Sequence, residues 1–153
     1  VREIKSNLKA HEVNFSKNYD RHQFFFKLGD SLVKIEFTKY PFVQIEKPLI
    51  FDDIKVDSEY DIAVNKIATI LERFDPKDFV DLYFLIKKYT LVKLKESAEK
   101  KFKFKIDPLF LGSELSKVRR IVALPKMVKK LSLEEIKDFF SNEVKKLRPE
   151  VIE

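Results

Sequence analysis

The 153-residue chain has no cysteine and no tryptophan, and only two glycines. Without cysteine there is no disulfide and no thiolate metal site. The only imidazoles, His11 and His22, stand apart in strand-like sequence. Ordinary strand-face roles are expected for them rather than a zinc pair. No apolar run approaches the roughly 18–20 residues of a membrane span, and no signal-peptide pattern opens the chain. A soluble, cytoplasmic protein with no membrane partner is therefore expected. Hydrophobic residues make up 44%, which argues against disorder. The length suits one domain, or two small subdomains sharing a core. What abounds is Lys, Glu, Ile and Phe, a bias that suits a thermophile and equally an AT-rich genome.

Charge is uneven. Residues 1–92 hold 15 Lys and Arg against 15 acids, whereas residues 93–148 hold 16 against eight. The basic character belongs to the C-terminal third. Such a field favours polyanions, including nucleic acid; a solvated lysine-rich helical surface would look the same.

The first 57 residues read as β structure. "HQFFFKL", "GD" and "SLVKIEF" form a hairpin around a two-residue Gly-Asp turn of the II′ kind. "LIFDDIKVD" is a further short strand. From Ser58 the period becomes helical. Residues 58–74 form one helix, with Ser58 as cap and Asp61 three positions on. A second begins at Asp75-Pro76, where Asp is the N-cap and Pro the first helical residue. "KLKESAEKKF" and "PLFLGSELSKVRRIVAL" should be helical. So should "SLEEIKDFFSNEVKKL", which opens on a Ser132–Glu135 capping box and is ended by Pro149. The expected architecture is α+β, a β-rich part over residues 1–57 and a helical part over 58–153.

Four ionic residues stand out on the first two helices. Lys66 and Arg73 are seven residues apart, and seven steps of about 100° fall within about 20° of two full turns, so both point the same way. Snorkelling along apolar surface would explain them equally. Asp78 falls at N3 of its helix, where an acid suits the free amides and the dipole. Asp81 lies one turn further, flanked by Phe79, Val80, Leu82 and Tyr83. Its local partner would be Lys77, four residues earlier. A carboxylate among apolar residues must face a polar cleft or pair with a cation; Arg73 and Lys66 are the nearest. A structural bridge and a functional site both satisfy that requirement. A third acid, Glu36, shares a strand face with Lys34 and Thr38, opposite Val33, Ile35 and Phe37. Carboxylates beside cations are what nucleotidyl transfer needs: acids for Mg²⁺, cations for the rest of the triphosphate.

The stretch "DIAVNKIATILERFDPKDFVDLYFLI", Asp61 to Ile86, resembles the third and fourth motifs of the AbiEii/AbiGii toxin family of nucleotidyltransferases. The family pattern is a helical Lys, an Arg seven residues on, a basic-Asp pair, and an Asp three residues later in "DLYDL"-like sequence. Here these are Lys66, Arg73, Lys77-Asp78 and Asp81-Leu82-Tyr83. "VKIEFTKYPF" resembles the preceding strand region, with Glu36 where a third acid would lie. The resemblance implies a polymerase-β-like core with a mixed sheet, followed by a C-terminal helical bundle. It implies nucleotide contacts through Lys66, Arg73 and Lys77, catalytic or orienting roles for Asp78 and Asp81, and a tentative metal contact at Glu36. It further implies Mg²⁺, a nucleoside triphosphate substrate, an RNA (notably tRNA) or protein acceptor, and a cognate antitoxin.

The family's first motif, a Gly-Ser turn followed by Asp-x-Asp on a strand, has no match. "LGDS" at 28–31 is a hairpin turn, and "LGSEL" at 111–115 is followed by cations and apolar residues. Because the sequence starts at Val1, either an N-terminal segment carrying the motif is missing or the chain is a degenerate member. The alternative expectation is then a non-catalytic module binding RNA or a partner protein.

Overall fold

The computed structural model describes Ser6 and residues 13–147; His11 and Pro149 lie outside them. The chain divides into two compact units, Val1–Pro41 and Phe42–Glu153.

The first unit carries an antiparallel meander of β1 (Val13–Asn18), β2 (Arg21–Leu28) and β3 (Ser31–Thr38). Alternating side chains give a strand two faces, and the register sorts them. Phe15, Phe24 and Ile35 are cross-strand partners on one face; Ser16, Gln23 and Glu36 are partners on the other. Phe24 and Phe26 are buried. Phe24 lies tilted against Phe15 at 5.1 Å and meets Phe37 edge-on at 5.9 Å. His22 lies on the same face, 6.0 Å from the Phe15 ring. Gly29-Asp30 closes the second hairpin as expected, with φ +59° at Gly29, a conformation that glycine adopts at no steric cost.

The second unit begins with a short hairpin, β4 (Leu49–Phe51) and β5 (Ile54–Val56). The sequence suggests one strand here. Asp52 and Asp53 both take positive φ, 44° and 63°, and so turn the chain back in the manner of a type I′ turn. All strand pairs among the described residues are antiparallel rather than mixed, because each connection is a tight turn.

Five α-helices follow among the described residues: α1 (Glu59–Glu72), α2 (Pro76–Lys88), α3 (Leu91–Phe102), α4 (Pro108–Ser116) and α5 (Leu133–Lys146). The architecture is α+β, with small sheets followed by helices. Ser58, Asp75, Thr90, Asp107 and Ser132 each cap a helix through the side chain, satisfying amides that the helix leaves open. The helix expected over 108–124 stops at Ser116. Its hydroxyl donates back to the Gly112 carbonyl at 2.7 Å, and Lys117–Arg120 tighten into a 3₁₀ turn.

The core of this unit draws on every helix. Ile67 and Ile70 of α1, Phe79 and Leu82 of α2, Leu94 of α3, Leu111 of α4 and Phe140 of α5 are all buried to within about 1%. Phe79 meets Phe140 edge-on at 5.4 Å. Burying such side chains contributes about 1.5–3 kcal/mol each, so α1 and α2 are rigid supports for what they carry at their junction.

Candidate active site

The junction between α1 and α2 is only three residues long, Arg73-Phe74-Asp75. Lys66 projects from α1. Arg73 lies one residue beyond its helix, as C-cap in extended conformation (φ −148°, ψ 158°). The two cations therefore do not share one helical stripe, as seven-residue spacing suggests. They are brought together instead by a common partner, Asp78.

Asp78 is 1% exposed, at the third position of α2. Lys66 Nζ donates to its Oδ1 at 2.7 Å, and Arg73 Nε donates to its Oδ2 at 3.0 Å. Lys66 also reaches Asp81 Oδ2, at 2.5 Å. The cluster is graded from inside to outside: Lys66 is 22% exposed, Asp81 49% and Arg73 56%. Asp81 thus pairs with Lys66 rather than with the local candidate Lys77. Lys77 is exposed on the first turn of α2, where its backbone N–H goes to Asp75 Oδ1 at 2.9 Å.

These contacts set the charges. Burial acts to push the Asp78 carboxyl up, but the hydrogen bonds from Lys66 and Arg73 outweigh it and hold the group below its ordinary 3.8. Burial likewise acts to lower Lys66, and hydrogen bonds to Asp78 and Asp81 reverse that, raising it above 10.5. The hydrogen bond to Asp78 raises Arg73 further still. All three remain ionised near neutrality.

Arg73 spends only its Nε on Asp78. More than half of its side chain is exposed, and a guanidinium carries further N–H donors in a fork that suits phosphate. The Arg120 guanidinium lies 4.9 Å over the ring of Phe74, the residue that follows Arg73 in the junction, a cation–π contact. Arg120 was not singled out by sequence; only the "KVRR" run marks it, and its place beside the junction depends on α4 ending early.

Glu36 lies in the first compact unit, on the polar face of β3. Lys34 lies 2.7 Å from its Oε2, Gln23 donates to the same oxygen at 2.8 Å, and Arg21 stands 3.8 Å from Oε1. Hydrogen bonds from Lys34 and Gln23 lower its carboxyl below the usual glutamate value.

A divalent metal needs carboxylate oxygens that are not already neutralised. Both oxygens of Asp78 and one of Asp81 are occupied by cations, and Glu36 is held by Lys34. As arranged, these acids do not fit Mg²⁺. Among the described residues no group of three His, Asp or Glu side chains is placed to hold a metal ion.

The sequence marks Asp61 only as a helix-start residue. Asp61 is fully buried, with Lys101 Nζ at 2.6 Å from its Oδ1. It accepts from the backbone N–H groups of Ile45 and Glu46, at 2.9 Å each at closest, and from the Ser58 hydroxyl at 3.2 Å. This acid ties residues 45–46 to α1 and α3, away from the Lys66 cluster.

A family model described as "Nucleotidyl transferase AbiEii toxin, Type IV TA system" matches residues 2–151. The chain belongs to this family. No curated protein and no solved structure matches it. The residues quoted above for the AbiEii resemblance, Lys66, Arg73, Asp78 and Asp81, are therefore one contiguous cluster in a member of the family. "LGSEL", which superficially resembles the Gly-Ser turn, lies within α4. No helix among the described residues is long and apolar enough to cross a membrane.

Proposed function

We propose that the Lys66–Arg73–Asp78–Asp81 cluster binds the phosphates of a nucleoside triphosphate and serves transfer of its nucleotide to a hydroxyl of an RNA acceptor, with tRNA foremost and a protein side chain as the other acceptor class. The family supports the reaction type. The observation that carries the assignment is that one buried carboxylate, Asp78, holds two cations side by side at a half-open surface. Asp78 is then a positioning residue. Lys66 and Arg73 are the phosphate ligands, with Lys77 at the rim.

In the transfer, the acceptor oxygen bonds to the α-phosphorus. The bond from that phosphorus to the bridging oxygen breaks, and pyrophosphate leaves. The hydroxyl proton needs an acceptor within hydrogen-bond reach. Asp81 is exposed and keeps Oδ1 outside its contact with Lys66, which suits that role. Mg²⁺ customarily neutralises charge in such transfers, and here it would require ligands from outside this cluster. The type IV toxin–antitoxin description of the family points to an antitoxin as partner.

Calorimetry with each of the four ribonucleoside triphosphates, with and without Mg²⁺, tests the proposal. Binding of at least one, lost in Lys66→Ala and Arg73→Ala chains that remain folded, is expected. Equal binding by parent and both variants sinks it.

One observation favours a second reading: the cations already neutralise the acids. In that reading the chain is a non-catalytic module holding RNA or a partner protein. Salt-sensitive tRNA binding without nucleotide or Mg²⁺, together with no triphosphate binding, would establish it.

A further inference from the structure

The turn between β1 and β2 is built from Tyr19 and Asp20. Tyr19 takes φ +51°, a left-handed conformation that is an outlier for a bulky side chain. The next turn of the same sheet places Gly29 at the corresponding conformation. Tyr19 is also 97% exposed, so no packing against the core compensates for its backbone. An aromatic side chain held in strain and turned entirely to water points to a ligand.

The surroundings say which kind. Tyr19 borders a cleft of about 440 Å³ whose walls include Lys17, His22, Phe37 and Lys39. Lys17, His22 and Phe37 are cross-strand partners on one face of the sheet. Phe37 is half exposed. The wall thus offers two ammonium groups, against the single carboxylate of Asp20, and two accessible aromatic rings. Cations that track a phosphate backbone, interleaved with rings on which bases stack, are the chemistry of single-stranded nucleic-acid binding. A volume of this size accommodates one nucleotide.

We propose that this cleft takes one nucleotide of a single-stranded nucleic acid, its base against Tyr19 and its phosphates against Lys17 and Lys39. The site lies wholly within the three-stranded unit and does not depend on nucleotidyl transfer at α1–α2.

Fluorescence anisotropy of labelled octauridylate and octadeoxythymidylate with the whole chain at low salt tests it. The informative variant is Tyr19→Gly, which removes the ring while relieving the backbone, so the thermal midpoint should hold or rise. Binding should weaken about tenfold, the usual effect of losing one base–aromatic stack. Lys17→Ala and Lys39→Ala should each reduce the logarithmic salt slope by about one. Dependence on Tyr19 supports the site whether RNA, DNA or both bind. No binding by the parent, or unchanged binding by Tyr19→Gly, overturns it.

Discussion

Lys101 Nζ lies 2.6 Å from Asp61 Oδ1, and neither side chain has any contact with solvent. Forty residues separate the two in sequence. The remaining capacity of the carboxylate is used by the amides of Ile45 and Glu46 and by the Ser58 hydroxyl. A buried pair is tolerated only when its other hydrogen-bonding positions are filled in this way. The consequence is that the stretch ahead of β4, which has little secondary structure of its own, is fastened to α1 and α3. Asp61 is also four residues and one turn before Asn65-Lys66, so the fastening helps fix the helix that carries Lys66.

Asp61→Asn should therefore be among the most damaging single changes in the chain. It removes the carboxylate that neutralises Lys101 and weakens the hold on residues 45–46, for an expected loss of about 3–5 kcal/mol. Asp61→Asn/Lys101→Met should cost less than the single change, because no charge is then stranded in the interior. Urea denaturation of parent, single and double variants measures this; a double variant worse than Asp61→Asn would contradict it.

Acid should unfold the second unit through Asp61 and Asp78. Burial acts to raise the Asp61 carboxyl, but the hydrogen bond from Lys101 and those from Glu46 and Ile45 bring it below 3.8; Asp78 is lowered as described above. A depressed carboxyl contributes stability that is fully present above its unfolded value and is lost as pH falls through its folded value. The urea midpoint should be flat from neutrality to about pH 5, then fall steeply below about pH 4. Asp78→Asn should lower the neutral plateau and flatten the acid limb. An acid limb as steep in Asp78→Asn as in the parent would show that Asp78 does not contribute.

What the sequence made legible is what local chemistry dictates. Ser58, Asp75 and Ser132 announce helix starts, and each side chain accepts a backbone N–H in the fold. The Gly29 hairpin and the division of Glu36 from Ile35 onto opposite faces follow from turn and strand periodicity. The pairing of Lys66 with Asp81 was accessible because the joining turn is too short to let the helices separate; that Arg73 goes to Asp78 rather than to Asp81, and that Lys66 holds Asp78 as well, was not. Arg73 leaves the helix before the stripe reaches it. Three features needed tertiary information. Lys101 looked like one more solvent lysine, since nothing within 40 residues shows that Asp61 faces it. Asp52-Asp53 takes a doubly positive φ that two aspartates permit but do not demand. The stop after Ser116, where the chain tightens into a 3₁₀ turn, carries no Gly or Pro to announce it.

Asp78→Asn and Asp81→Asn should separate support from chemistry. Asp78 is sealed and anchors two cations, so its change should cost about 3 kcal/mol or more of stability. Asp81 is half exposed, and loss of its pair with Lys66 should cost no more than about 1 kcal/mol. If Asp81 accepts the acceptor's proton, Asp81→Asn should keep triphosphate binding and lose transfer. Thermal unfolding alongside nucleotide-incorporation assays would show it. Transfer unchanged in Asp81→Asn removes Asp81 from the mechanism.

Arg73→Lys tests the fork of the guanidinium rather than its charge. Arg73 holds Asp78 through Nε, and more than half of its side chain is exposed. A lysine has one compact ammonium and must choose between Asp78 and a phosphate. Turned inward to Asp78, it would preserve the fold and leave nothing for the ligand; turned outward, it would leave Lys66 alone on a buried carboxylate. Because Arg73 is more than half exposed, stability should change by no more than about 1 kcal/mol. Triphosphate affinity should fall about tenfold, the difference expected between a bidentate and a point-charge phosphate contact, about 1.4 kcal/mol. Calorimetry with the preferred nucleotide reads the affinity and thermal unfolding reads the fold. A lysine variant that binds as tightly as the parent would mean that the exposed edge of Arg73 never meets the phosphates, and Lys66 alone would be left as the ligand.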